Sequence, residues 1–218
     1  MRLIMFNPNK YKFINEFPQF KDLLMVDSLD EFFNKLTKIK KGVSGEDYNN
    51  IAGFSFEYIV GCVLHLYGGM KQFGVMDYTP TYVGDNENPD HGADGFGRAF
   101  IPNSTKTRLA IVQIKFRANP TDNLYEFGNL PAVVGTRLCY EDEVNVTFIT
   151  TSKETKGSSE NLEHENSSMY LAKKFKERFS ESLQERIFVR IIQRNQLVRE
   201  LDNFHIWQKI REMSGLFI

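Results

Sequence analysis

Arg108-Leu109-Ala110-Ile111-Val112-Gln113-Ile114-Lys115-Phe116 reads as a β-strand that is apolar on both of its faces. The two-residue period of a strand puts Leu109, Ile111, Gln113 and Lys115 on one face and Ala110, Val112, Ile114 and Phe116 on the other. A strand that is greasy on both sides belongs in the middle of a sheet covered by helices on both faces. Gln113 and Lys115 break that pattern at one end. Burying an amide and a lysine without partners is costly, because the lysine must either lose its charge or destabilise the fold. A carboxylate and a bound cation beside the end of the strand would remove that cost.

Moving outward, Val144-Asn145-Val146-Thr147-Phe148-Ile149-Thr150 and Ile187-Phe188-Val189-Arg190-Ile191-Ile192 read as further buried strands. A helix is predicted between about Asn123 and Leu138, which makes a β-α-β unit with the first two strands. Upstream, Tyr78 to Val83 and Phe96 to Ile101 carry strand-type residues between Gly, Asn, Asp and Pro. Helices are expected from Ser168 to Phe179 and as one continuous helix from Asn195 to Met213, with Lys153 to Ser168 as an exposed loop. The order of elements predicts an α/β fold, a mixed β-sheet core flanked by helices.

The N-terminal third is helical in pattern. Ser28-Leu29-Asp30-Glu31 is a capping-box sequence that opens a helix holding Phe32, Phe33 and Leu36 and running into Lys38 to Gly42. Residues 1–42 are read as an N-terminal extension and 43–218 as the main domain. Ser44-Gly45-Glu46-Asp47 starts a second, longer helix through Ile51, Phe54, Tyr58, Cys62 and Leu66, ending near Gly68-Gly69. Glu57 falls in the middle of this helix with Gly53 one turn before it, on a face open to close approach.

Composition narrows the function. The chain has 218 residues, 41% of them hydrophobic, enough for a full core. A formal net charge of -1 excludes a protein that coats nucleic acid by bulk positive charge, but not an enzyme that sets acidic metal ligands beside phosphates. Two distant cysteines, Cys62 and Cys139, form no zinc or disulfide pattern and suit a reducing cytoplasm. The opening Met1-Arg2-Leu3-Ile4-Met5-Phe6 is too short for a signal peptide or membrane span. No phosphate loop, dinucleotide fingerprint or Ser-His-Asp arrangement occurs.

The remaining chemistry lies in Asp90-His91-Gly92-Ala93-Asp94-Gly95. A hairpin would bring Asp94 against the strand of Gln113 and Lys115, with Gly92 and Gly95 permitting close backbone approach. The Asp94 carboxylate, the Gln113 side-chain oxygen and the Ile114 carbonyl then offer the protein share of an octahedral Mg²⁺ shell. His91, His65, His164 and His205 show no metal-ligand spacing. Arg117, Lys106, Arg108, Arg194 and Arg199 are candidate phosphate contacts.

Glu57 on a helix, Asp94 in its Gly-flanked turn and Gln113-Ile114-Lys115 on a strand resemble the PD-(D/E)XK nuclease superfamily, in particular its Mrr-like restriction-endonuclease branch. The likeness covers roughly residues 44 to 200, including Thr150-Thr151-Ser152 and the passage from Ile191 to Leu197. It implies a restriction-endonuclease-like core and a metal-dependent DNA endonuclease serving restriction, homing or phage-encoded cleavage. It implies that Asp94 is the metal-binding carboxylate, Gln113 the second ligand, Lys115 the catalytic lysine and Glu57 a helix carboxylate reaching the metal through water. Asp90 is an auxiliary candidate. The implied cofactor is Mg²⁺, with Mn²⁺ as substitute, and the partner is DNA, with no membrane and with a homodimer for cutting both strands. Gln113 stands where many members carry an acid, so the alternative is a catalytically inactive nucleic-acid-binding or assembly domain.

Overall fold

The computed structural model describes residues 19–70, 72–81, 92–118, 127–152, 168–202 and 204–215. Asp90, His91 and nearly all of the expected loop from Lys153 to Ser168 lie outside the described residues.

Within them the chain forms α1 (Gln19–Leu24), α2 (Leu29–Ile39), α3 (Gly45–Tyr67), β1 (Met76–Pro80), β2 (Gly95–Phe100), β3 (Thr107–Lys115), α4 (Leu130–Arg137), β4 (Val144–Thr150), α5 (Ser168–Lys176), α6 (Glu181–Gln184), β5 (Ile187–Ile192), α7 (Arg194–Leu201) and α8 (Phe204–Met213). The five strands make one mixed sheet in the order β1-β2-β3-β4-β5. The β1–β2 and β2–β3 pairs are antiparallel, and the β3–β4 and β4–β5 pairs are parallel. Parallel neighbours need crossover connections, supplied here by α4 and by α5 with α6. The protein is therefore an α/β fold with β3 at the centre of the sheet. At the β1 edge the register shifts between Met76 and Thr79, where Asp77 adopts φ +52°.

The alternation read along β3 sorts its side chains into two cores. Ala110, Val112 and Ile114 pack with Phe20, Leu23, Phe32, Ile59, Leu201 and Trp207, beneath α1, α2, α3, α7 and α8. Ile111 packs on the opposite face with Leu130, Val134, Phe148, Leu171 and Phe175, beneath α4 and α5. The apolar residues of α1 and α2, from the segment read as an extension, thus lie in the same core as those of α3. Among the described residues no helix is long and apolar enough to cross a membrane.

Local chemistry explains the helix starts. Ser28 Oγ accepts from the Glu31 N–H at 3.2 Å. The Glu31 carboxylate reaches back to the N–H of Asp27 at 2.9 Å, one residue before the partner that a reciprocal capping box would use. Ser44 Oγ likewise caps α3 through the Asp47 N–H at 3.1 Å. From Ile51 to Leu64 nearly every α3 residue is buried, as expected of a helix that is apolar around its circumference.

Two expected helices are corrected. The helix before β4 begins at Leu130, with Phe127 to Asn129 outside it, because Pro131 fits only the first turn, where its missing N–H is no loss. The single helix from Asn195 to Met213 is instead α7 and α8. In an unbroken helix Trp207 would sit about 240° around from Leu201, six residues earlier. Both side chains are fully buried, so the chain breaks after α7 and restarts in a new phase. The Trp207 Nε1–H then donates to the Leu201 carbonyl at 2.8 Å, satisfying a group that the break exposes.

Candidate active site at the end of the central strand

Three separate elements converge where β3 ends. Helix α3 presents Glu57, the start of β2 presents Asp94, and β3 presents Ile114 and Lys115, and all four line one cleft of about 460 Å³. Arg117 lies in the same wall, and Asn49, Asn50 and Gly53 contribute the preceding turns of α3. Residues Asn50, Gly53 and Glu57 recur at helical spacing and so share one face of α3. That spacing is legible in the sequence, although only Gly53 and Glu57 stand out without the fold.

Asp94 is fixed from several directions. Its N–H donates to the Val112 carbonyl at 2.8 Å, and its own carbonyl accepts from the Thr81 N–H at 2.9 Å. The Tyr78 hydroxyl donates to that same carbonyl at 3.2 Å. Its carboxylate Oδ2 accepts from the Ile114 N–H at 2.5 Å. The side chain is therefore aimed along β3 rather than into solvent, and only 8% of the residue is exposed.

Tyr78 and Gly95 explain why this turn is built as it is. A Cβ at Gly95 would come 2.4 Å from the Tyr78 ring, so only glycine lets the tyrosine lie across β2. Burial pushes the Tyr78 phenol well above its ordinary pKa, and the negative charges of Glu57 and Asp94 push it further. It stays a neutral hydrogen-bond donor between two acids. Gly92, at φ +89°, turns the chain so that its carbonyl accepts from Gln113 Nε2 at 2.8 Å.

Gln113 sits on the strand beside Asp94 but is not part of the cleft wall. It is 3% exposed, its Nε2 is engaged by Gly92, and its Oε1 is buried with no hydrogen-bond partner among the described residues. The Lys115 carbonyl accepts from the Thr151 N–H on the β4 side at 3.3 Å. By strand alternation the Ile114 carbonyl faces the other way, toward β2 and Asp94. Lys115 is half-buried and makes no ion pair with the described residues.

Among the described residues no three His, Cys, Asp or Glu side chains gather into a metal cluster. The oxygens that the cleft wall offers are the carboxylates of Asp94 and Glu57 and the Ile114 carbonyl, while Gln113 Oε1 is buried outside that wall. That set fits a hard cation such as Mg²⁺, which takes one or two carboxylates and keeps several waters, and does not fit zinc.

The basic residues separate clearly. Arg108 pairs with Glu143 at 2.9 Å and stacks on Phe188 at 3.5 Å. Arg194 pairs with Asp30 at 3.6 Å and lies over Phe33. Arg199 contacts Glu200 at 3.4 Å, and Lys106 is exposed in the turn before β3. Of these five candidates only Arg117 lines the cleft. A contact that the sequence does not reveal is made by Thr151, whose hydroxyl accepts from the Arg117 N–H at 2.7 Å and donates to the Arg117 carbonyl at 3.0 Å. No family model matches the chain, and no curated protein and no solved structure matches it.

Proposed function

We propose that the protein is a Mg²⁺-dependent DNA endonuclease of the PD-(D/E)XK kind, close to its Mrr-like branch. The observation that carries this reading is the convergence of Glu57, Asp94, Ile114 and Lys115, from a helix, a turn and a strand, on a single cleft. The reading takes double-stranded DNA as substrate and Mg²⁺, replaceable by Mn²⁺, as metal, and two unpaired cysteines support a cytoplasmic setting. Restriction, homing and phage-encoded cleavage are the biological settings in which such an enzyme acts, and cutting both strands calls for a homodimer.

In this reading Asp94 and the Ile114 carbonyl would hold the cation and Glu57 would act through water, while Gln113 would brace the Gly92 turn beside the cleft. A bound divalent cation polarises the scissile phosphate and lowers the pKa of an attacking water. The Ile114 N–H keeps the Asp94 carboxylate from swinging away, so the site is ordered before substrate arrives. Lys115 neutralises charge that develops on the phosphate as the water oxygen bonds to phosphorus and the bond to the 3′-oxygen breaks. A group in such a role contributes on the order of 3 kcal/mol, or about a hundredfold in rate.

The test is cleavage of plasmid DNA with and without Mg²⁺ by the wild type, Asp94→Asn and Lys115→Ala. Cleavage only with the metal, and only by the wild type, supports the proposal; undiminished cleavage by either variant overturns it. The second reading, an inactive nucleic-acid-binding or assembly domain, is favoured by Gln113, which stands in place of an acid and outside the cleft wall. Calorimetric binding of Mn²⁺ that disappears in Asp94→Asn decides for the enzyme.

A further inference from the structure

Arg117 presents an unusual electrostatic situation. Its Nε and Nη2 atoms are buried and have no hydrogen-bond partner among the described residues, and no described acid pairs with it. These two nitrogens are neighbours on one edge of the guanidinium, the edge that engages two oxygens of a phosphate or carboxylate side-on. Leaving both donors shielded from water and empty is costly, since buried donors to charged groups lose their full solvation. A two-oxygen anion relieves the cost.

The main chain at Arg117 is held in place for such a contact. Past the end of β3 the ladder to β4 would lapse, but the Thr151 hydroxyl takes over both of its roles. It accepts from the Arg117 N–H and donates to the Arg117 carbonyl, while the Thr151 N–H donates to the Lys115 carbonyl. Thr151 is itself 1% exposed, so this clamp is rigid. Arg117 follows Lys115 by two residues of extended chain, about 7 Å, a step comparable with the spacing of successive phosphates on one nucleic-acid strand.

We infer that Arg117, clamped by Thr151, is a phosphate-gripping residue that seats the phosphodiester next to the scissile one. This rests on the nuclease reading, since that reading puts a phosphate at Lys115. Arg117 touches the substrate backbone; Thr151 is a positioning residue that acts through it. The remaining four basic candidates are paired or lie outside the cleft, so this single side chain supplies the seat.

The experiment measures binding of a fluorescent 20-base-pair DNA duplex in Ca²⁺ over a series of salt concentrations, with Mn²⁺ calorimetry on the same proteins. Arg117→Ala should weaken binding about tenfold or more and reduce the salt slope by about one. Arg117→Lys, which keeps the charge and loses the fork, should restore the slope but not the affinity. Thr151→Val, which keeps the charge and loosens the seat, should behave as Arg117→Lys does, and Thr151→Ser as the wild type. Mn²⁺ binding should be unchanged throughout. Wild-type affinity and slope in Arg117→Ala, or in Thr151→Val, overturn the inference, as does a wild type that binds no DNA. Loss of DNA binding in Arg117→Ala from a wild type that binds no Mn²⁺ keeps Arg117 as a phosphate contact but removes the nuclease reading, and with it the seat beside a scissile phosphate.

Discussion

The carboxylate of Asp94 accepts the backbone N–H of Ile114 across the β2–β3 pair, so an acidic side chain completes the hydrogen bonding of the central strand. Structure and charge are thereby separable by substitution. Asp94→Asn keeps an oxygen that can accept from Ile114 and removes the charge. Asp94→Ala removes both, leaving a buried N–H without an acceptor, at a cost of about 1–3 kcal/mol. Urea unfolding should show Asp94→Asn within about 1 kcal/mol of the wild type and Asp94→Ala well below it. On the proposed nuclease reading, DNA cleavage should vanish in both.

Tyr78 and Gly95 form a matched pair, because the ring occupies the place of a side chain at 95. Gly95→Ala should lower stability by about 1–3 kcal/mol through overpacking. Combining it with Tyr78→Ala should cost less than the two single changes added together. A strictly additive double-mutant cycle would show that the two residues do not compete for that space.

Arg108 is committed to the fold. Its side chain is 7% exposed, paired with Glu143 and flat on Phe188, whereas Glu143 is 39% exposed and screened by water. Arg108→Ala should therefore destabilise by about 1–3 kcal/mol, mainly through lost packing. The salt slope of DNA binding should not change, and a fall of about one in that slope would place Arg108 on the phosphate backbone instead.

Alkaline pH should unfold the protein by a defined route. Burial pushes the Cys62 thiol up from 9.0 to about 12, and burial also raises Tyr78 and Tyr58 above their ordinary 10.0. These groups ionise in the unfolded chain at their ordinary values and keep their protons in the folded one. Above pH 9 the folded state thus binds more protons, and stability, whole below that pH, falls as pH rises toward 12. Each such group contributes a slope of up to about 1.4 kcal/mol per pH unit. Urea midpoints measured across this window should decline, and Cys62→Ala should flatten the first part of the decline.

The legible parts of the molecule are those fixed by local rules. The apolar alternation of β3 separates the two cores, and the serines at 28 and 44 mark helix starts through hydrogen bonds three residues long. Asp94 stands out because glycine follows it and another glycine lies two residues before it. What escapes a reading along the chain depends on pairs brought together by the sheet. Thr151 meets Arg117 from 34 positions away, and Tyr78 meets Asp94 from 16. The break between α7 and α8 escapes for another reason: its local signal is only Asp202-Asn203, turn-favouring residues inside an otherwise helical pattern, and the burial of both Trp207 and Leu201 rephases the chain there. The place of Gln113 is also tertiary. Sequence puts it beside Lys115, but the turn at Gly92 captures its amide.

The irregular first strand has a consequence for life in a crowded solution. A sheet edge is a template on which a foreign strand can polymerise, and β1 is such an edge. Its left-handed Asp77, its slipped register and the missing N–H of Pro80 deny an incoming chain a straight row of donors. The same segment that braces Asp94 through Tyr78 thus makes this edge of the sheet a poor template for an added strand.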